Sequence, residues 1–210
     1  WNGQKIVDLS RAFLDTSGCA KKQDAKISHL QEVNSNSIEF NEDNFYKILA
    51  EKNTASQKGL VEMFDSTVGA TTVALPFGGK YQTTETEGCV QTLPILNAEN
   101  IETVSYASWG FDAEISKQNS MIGASLAVVE SVAKIVAMGG NFRNIRLSFQ
   151  EYFEKLGNNP EKWGKPLASL LGAYDAQMNL GLAAIGGKDS MSGTYQDINV
   201  PPTLISFACA

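Results

Sequence analysis

The stretch GLAAIGGKDSMSGTY, residues 181–195, ends an apolar run on two glycines and then places a lysine, an aspartate and two serines close together. Glycine lets the backbone come near a ligand. Free amides, an ammonium and hydroxyls can together receive a phosphate. Lys188, Asp189 and Ser190 are therefore candidates for a phosphate or substrate loop. The GxxxxGK[ST] spacing of a Walker loop is absent, so the pattern alone leaves a second reading open. In that reading the segment is a tight turn in which Asp189 caps the next element.

A second set is acidic. Glu85 and Glu87 in TTETEGC precede an alternating segment, and a carboxylate at a strand edge can hold Mg²⁺ against nucleotide phosphates. The bland alternative is a solvated acidic loop. Glu130 lies in a long apolar segment, where a charge needs a partner or a metal. Lys134, four residues on, shares its helical face and is the obvious partner. The alternative joins Glu130 to Glu87 as a second metal ligand. Tyr152, Phe153 and Trp163 read as packing residues rather than a stacking platform.

Composition narrows the chemistry. The single histidine, His29, excludes a multi-histidine metal site and leaves little room for a Ser-His-Asp triad. Its polar surroundings suit a surface or sheet residue. Cys19, Cys89 and Cys209 contain no CxxC, so they form neither a disulfide framework nor a zinc site. A reducing, cytoplasmic compartment is expected. The net charge of −6 argues against a general nucleic-acid binder. No continuous run of about 18 apolar residues predicts a membrane span. The 210 residues suffice for one cored domain, or one and a small extension. The chain starts on Trp1 without a signal-like stretch and stops in TLISFACA, as expected of a piece cut from a longer protein.

The elements that must position these residues alternate between helix and strand. Residues 1–40 read as a strand-rich lead-in, with KIVDL and AKISHLQEV as its strands, and 41–210 read as the main domain. NEDNFYKILAEKN is a short amphipathic helix, and GLVEMFDST a short helical turn. GATTVALPFGG, CVQTLPIL and NIETVSYASWGF read as strands, and AEISKQNS as a loop. The clearest helix covers 120–138, with Ser120 as N-cap and Gly139-Gly140 as stop. It is apolar nearly all round, so it is central. NIRLSF is a buried strand. WGKPLASLLGAYDAQMNLG is a helix with Leu167, Leu170, Leu171, Tyr174 and Met178 at helical spacing. LAAIGG and VPPTLISFACA complete a mixed sheet, and the class is α+β.

Taken together, GLVEMFDSTVGATTVALPFGGKYQTT, VVESVAKIVAMGGNFRNIRLSFQEYFEKLG, PEKWGKPLASLLGAYDAQMNLGLAAIGGKDSMSGTY and VPPTLISFA resemble the large form of phosphoribosylformylglycinamidine synthase. The resemblance covers most of the chain and is strongest over 59–208. It implies the N-terminal α+β domain of the second of two halves, each similar to aminoimidazole ribonucleotide synthetase. The family is an ATP- and glutamine-dependent ligase that converts formylglycinamide ribonucleotide to the amidine in purine synthesis. ATP activates the amide oxygen and ammonia from glutamine displaces it.

The expected cofactors are thus ATP or ADP and Mg²⁺. The expected partners are the first synthetase half, the C-terminal domain and the glutaminase domain, none of which this sequence contains. In this family the N-terminal domains of the two halves pair through their sheets, with nucleotide near the pairing, so homodimerisation of the isolated fragment is also expected. The resemblance puts Thr86 at the nucleotide contact, and Glu87 and Glu130 at Mg²⁺. Lys134 falls where many relatives carry an asparagine ligand, which leaves the metal site of this half altered or lost. It further implies half of a composite site with no turnover in isolation. The rival expectation is a non-catalytic scaffold domain.

Overall fold

In the computed structural model, residues 1–16, 22–28, 30–34, 38–64, 71–97 and 101–210 are described. Cys19 and His29 lie outside them. The helices are α1 (Arg11–Thr16), α2 (Glu42–Ala50), α3 (Lys58–Val61), α4 (Ala113–Gln118), α5 (Ser120–Ala137) and α6 (Pro160–Leu180). The strands are β1 (Phe77–Gly78), β2 (Thr84–Glu85), β3 (Cys89–Thr92), β4 (Val104–Gly110), β5 (Arg146–Tyr152), β6 (Ala184–Ser190), β7 (Thr194–Tyr195), β8 (Ile198–Asn199) and β9 (Thr203–Cys209).

Five strands form the main sheet in the order β3-β4-β9-β5-β6. β5 and β6 run parallel and the other neighbours antiparallel, so the sheet is mixed and the class is α+β. A parallel pair needs a crossover, and α6 supplies it between β5 and β6. The core lies between the sheet and α5–α6: Val128, Val132 and Ile135 of α5 meet Leu147, Leu204 and Ala208. Three serines cross this layer fully satisfied. Ser108 Oγ donates to Ser131 O at 2.6 Å, and the Ser131 and Ser206 hydroxyls are 2.9 Å apart. α5 is long and apolar enough by length and composition to cross a membrane, yet it packs as a core helix against β4, β9 and α6.

Several elements differ from the sequence expectation. Among the described residues of 1–40 there is no strand, and α1 is the regular element. Ile6 and Val7 are exposed and find no strand to pair with. The segment after residue 22 instead leans on helices: Lys26 N donates to Pro160 O at 2.8 Å and Gln31 N to Gln118 O at 3.3 Å. Residues 71–79 hold only one bridge, Thr72 to Gln91, and the two-residue β1. AEISKQ is a helix, not a loop, because Asp112 caps it by accepting from the amides of Glu114 and Ile115. The cap of α5 is Asn119 rather than Ser120. The GGKDS segment is strand, because β5 offers a parallel ladder as far as Ser190.

The large apolar residues of α6 face outward: Leu170 is 48% exposed, Tyr174 60% and Met178 64%. Its buried stripe is Gly164, Ala168, Gly172 and Ala176. Small residues four apart let two helix backbones approach closely. A Cβ on Gly172 would lie 1.9 Å from Met121 O of α5.

Candidate functional site

A cleft of about 600 Å³ opens where the β2–β3 turn meets the start of the open sheet face. Its walls include Thr86, Glu87, Trp109, Glu130, Lys134 and Phe207. Thr86 is pinned by its amide, which donates to Pro76 O at 2.8 Å beside the β1–β2 pair. Trp109 arrives by the alternation of β4, which turns Ser108 and Gly110 toward α5 and leaves the indole half exposed. Gly110 permits β4 to touch α5, since a Cβ there would lie 2.2 Å from Ala127 O. That approach lets the Phe111 amide donate to Glu130 Oε2 at 3.1 Å.

Lys134 is the centre of the cluster. Its ammonium is 2.7 Å from Glu130 Oε1 and 3.0 Å from Glu87 Oε2, and it donates to Trp109 O at 3.1 Å. It also sits 4.6 Å from the centroid of the Trp109 ring. Burial works against the charged ammonium, but the hydrogen bonds to Glu130 and Glu87 outweigh it and hold its pKa above the ordinary value. Sequence spacing finds the Glu130–Lys134 pair. The structure adds Glu87, from 43 residues upstream of Glu130 in the sequence, and so brings both predicted carboxylates to one cation.

As arranged, these groups do not fit a resident Mg²⁺. An ammonium already lies between the two carboxylates and cannot be a ligand. Among the described residues no group of three or more His, Cys, Asp or Glu side chains converges. Glu85 lies in β2 and is exposed, and it joins no ion pair among the described residues.

The second candidate set splits by strand alternation. Glu151 registers with Asp189, and Tyr152 with Ser190. Lys188 lies over the Tyr152 ring, 4.8 Å from its centroid, while Ser190 Oγ is 2.9 Å from Ser192 Oγ. Asp189 turns to the helix side of the sheet, beside Glu151, and lines a groove against α6. Lys188 and Ser190 therefore do not share a face with Asp189. Of the aromatic residues, Phe153 is fully buried and Trp163 Nε1 donates to Gly157 O at 2.9 Å, both packing roles.

No protein-family model matches the sequence, and no curated protein matches it. The fold is nevertheless that of known structures. PurLQS from Thermotoga maritima superposes with a TM-score of 0.67 at 18% identity, over 100% of this chain and 30% of that one. T. maritima PurL complexed with ATP gives 0.62 at 18% identity, over 93% of this chain and 28% of that one. The PurL complex with FGAR gives 0.62 at 18% identity and the same coverage. This chain thus has a PurL-like α+β fold and spans about 30% of the length of those chains.

Proposed function

We propose that this chain is the nucleotide-binding part of an ATP-dependent ligase of purine biosynthesis, acting on formylglycinamide ribonucleotide, and that it supplies half of a composite site rather than a complete one. The observation that carries this reading is the cleft in which Thr86, Trp109 and the Glu87–Lys134–Glu130 cluster converge. The likeness of the fold to structures complexed with ATP and FGAR supports it. The unit assigned this role is 41–210, with 1–40 a lead-in, in a cytoplasmic enzyme whose other domains complete the site.

Thr86 would contact the nucleotide. Trp109, half exposed, offers an aromatic face for a base, and Lys134 a positive charge for phosphate. Phosphoryl chemistry asks the protein mainly for positioning and charge neutralisation. In this cleft Lys134 would meet that need by exchanging a carboxylate partner for phosphate, and Mg²⁺, when bound with nucleotide, would add to the neutralisation. Glu87 and Glu130 could hold that metal only after Lys134 had turned away, so in this half they are first of all counter-ions to Lys134. On the open face, Lys188 and Ser190 would meet a substrate phosphate, whereas Asp189 registers with Glu151 on the helix side of the sheet.

Titration with ATP tests the reading. Binding is expected in the high-micromolar to millimolar range, at least ten-fold weaker in Lys134→Ala, and altered by Glu87→Ala and Glu130→Ala. The cluster's closed ion pairs also favour a second reading, a non-catalytic scaffold domain. The absence of ATP binding with and without Mg²⁺ would decide for the scaffold.

A further inference from the structure

The groove between α6 and β6 lies on the helix side of the sheet, away from the cleft described above. It has about 500 Å³, within the range of small-molecule sites. Its walls include Phe149, Leu170, Ala173 and Tyr174, and its polar groups are Glu151 and Asp189 with Gln177, and Lys188 at the rim. Glu151 is 8% exposed, and its Oε1 is shut from solvent with no hydrogen-bond partner. A buried carboxyl without a donor is costly in either protonation state. Among the described residues no cation pairs with Glu151: Lys188, at the rim of the groove, has its ammonium over the Tyr152 ring. The next carboxylate of the same stretch, Glu154, is paired with both Lys162 and Lys165. Partnering is thus the rule in this part of the fold, and Glu151 is the exception.

We infer that this groove binds a small organic cation, a primary ammonium on an apolar body, with the ammonium on Glu151 and Asp189 and the body against Phe149, Leu170 and Tyr174. Two carboxylates against one rim ammonium that is already held over Tyr152 favour a cation over a phosphate or carboxylate ligand. A bare divalent ion is a poor fit, because hard cations want six or more oxygen ligands and the walls are apolar. The electrostatics agree. Burial first, then the Asp189 charge, push Glu151 from 4.5 to about 7. A bound ammonium opposes both effects. The titratable groups that face Glu151 are Asp189 from β6 and Tyr174 from α6, with Lys188 at the rim.

The test uses the whole chain with phenethylamine and its uncharged isostere 2-phenylethanol, by calorimetry at pH 8 and pH 5.5. Phenethylamine is expected to bind at least ten-fold more tightly than the alcohol at pH 8, and at least five-fold more weakly at pH 5.5 than at pH 8. Glu151→Gln should abolish the preference for the amine, whereas Glu42→Gln, which removes an exposed charge of the same sign, should leave it. In the unsubstituted chain, the carbon-13 signal of the Glu151 carboxyl should titrate at lower pH once the amine is present. Equal affinity for amine and alcohol, an unchanged Glu151 titration, or no binding at 10 mM would each overturn the inference.

Discussion

Two residues carry most of the unusual electrostatics, and each gives a prediction. Glu151 is held above its unfolded value, from 4.5 to about 7. The folded state therefore binds its proton more tightly than the unfolded chain does, and stability falls as pH rises from about 4.5 to about 7. Glu151→Gln removes that dependence. At pH 8 it is expected to stabilise the chain by about 1–3 kcal/mol, discounted for the open side of the groove, and to flatten the thermal midpoint between pH 5 and pH 7. A variant less stable than the parent at pH 8 would contradict the unpartnered carboxyl. Lys134 gives the converse case, an ammonium that neutralises two carboxylates. Lys134→Asn keeps a polar ligand and frees Glu87 and Glu130. Mg²⁺ alone should then bind with a dissociation constant of about a millimolar, read by calorimetry, where the parent shows none. Failure of that variant to gain Mg²⁺ would place the carboxylates too far apart to act as a ligand pair.

At the scale of elements, the contact of α5 with α6 depends on the small-residue stripe of α6. Gly172→Ala places a methyl 1.9 Å from Met121 O, so the helices must part. A loss of about 2–3 kcal/mol in denaturant unfolding is expected, against less than about 0.5 for Gly59→Ala, where a methyl meets nothing within 4 Å and the backbone φ is not positive. This helix also marks how far the sequence can be read. Its period of large residues gives the helix but not its buried side, because Gly164, Ala168, Gly172 and Ala176 repeat four apart just as regularly and win the core by close approach. α5 is legible because caps, stop and apolarity all agree. β6 is not, because glycines that usually end strands are carried here by a long ladder with β5, across an irregularity between Leu147 and Phe149. Glu130 with Lys134 follows from an i,i+4 spacing. Glu87 joins them only through tertiary structure, and Glu151 leaves no local mark in sequence because its missing partner is a three-dimensional fact.

For the whole molecule, the governing feature is a five-stranded sheet covered by helices on one face. On its other face Trp109 is half exposed, Ile205 and Phe207 are partly buried, and Cys89 and Cys209 are exposed. An apolar sheet face of this kind is an interaction surface or an aggregation liability. The proposed composite site needs a second sheet against this face, and in the isolated chain the available sheet is another copy. Light scattering should report a concentration-dependent dimer at tens of micromolar. Trp109→Glu adds a charge at the middle of the face without touching the core, so it should shift the chain to monomer while preserving its circular dichroism spectrum and its thermal midpoint within a few degrees. ATP affinity separates the roles further. If Ile205→Glu, on the same face but outside the walls of the cleft, makes the chain monomeric and also weakens ATP binding, the nucleotide site is completed by the partner sheet. If a clean monomer persists at high concentration in the parent chain, pairing through this face is not a property of the isolated chain, and the cleft must bind or fail to bind ATP on its own residues.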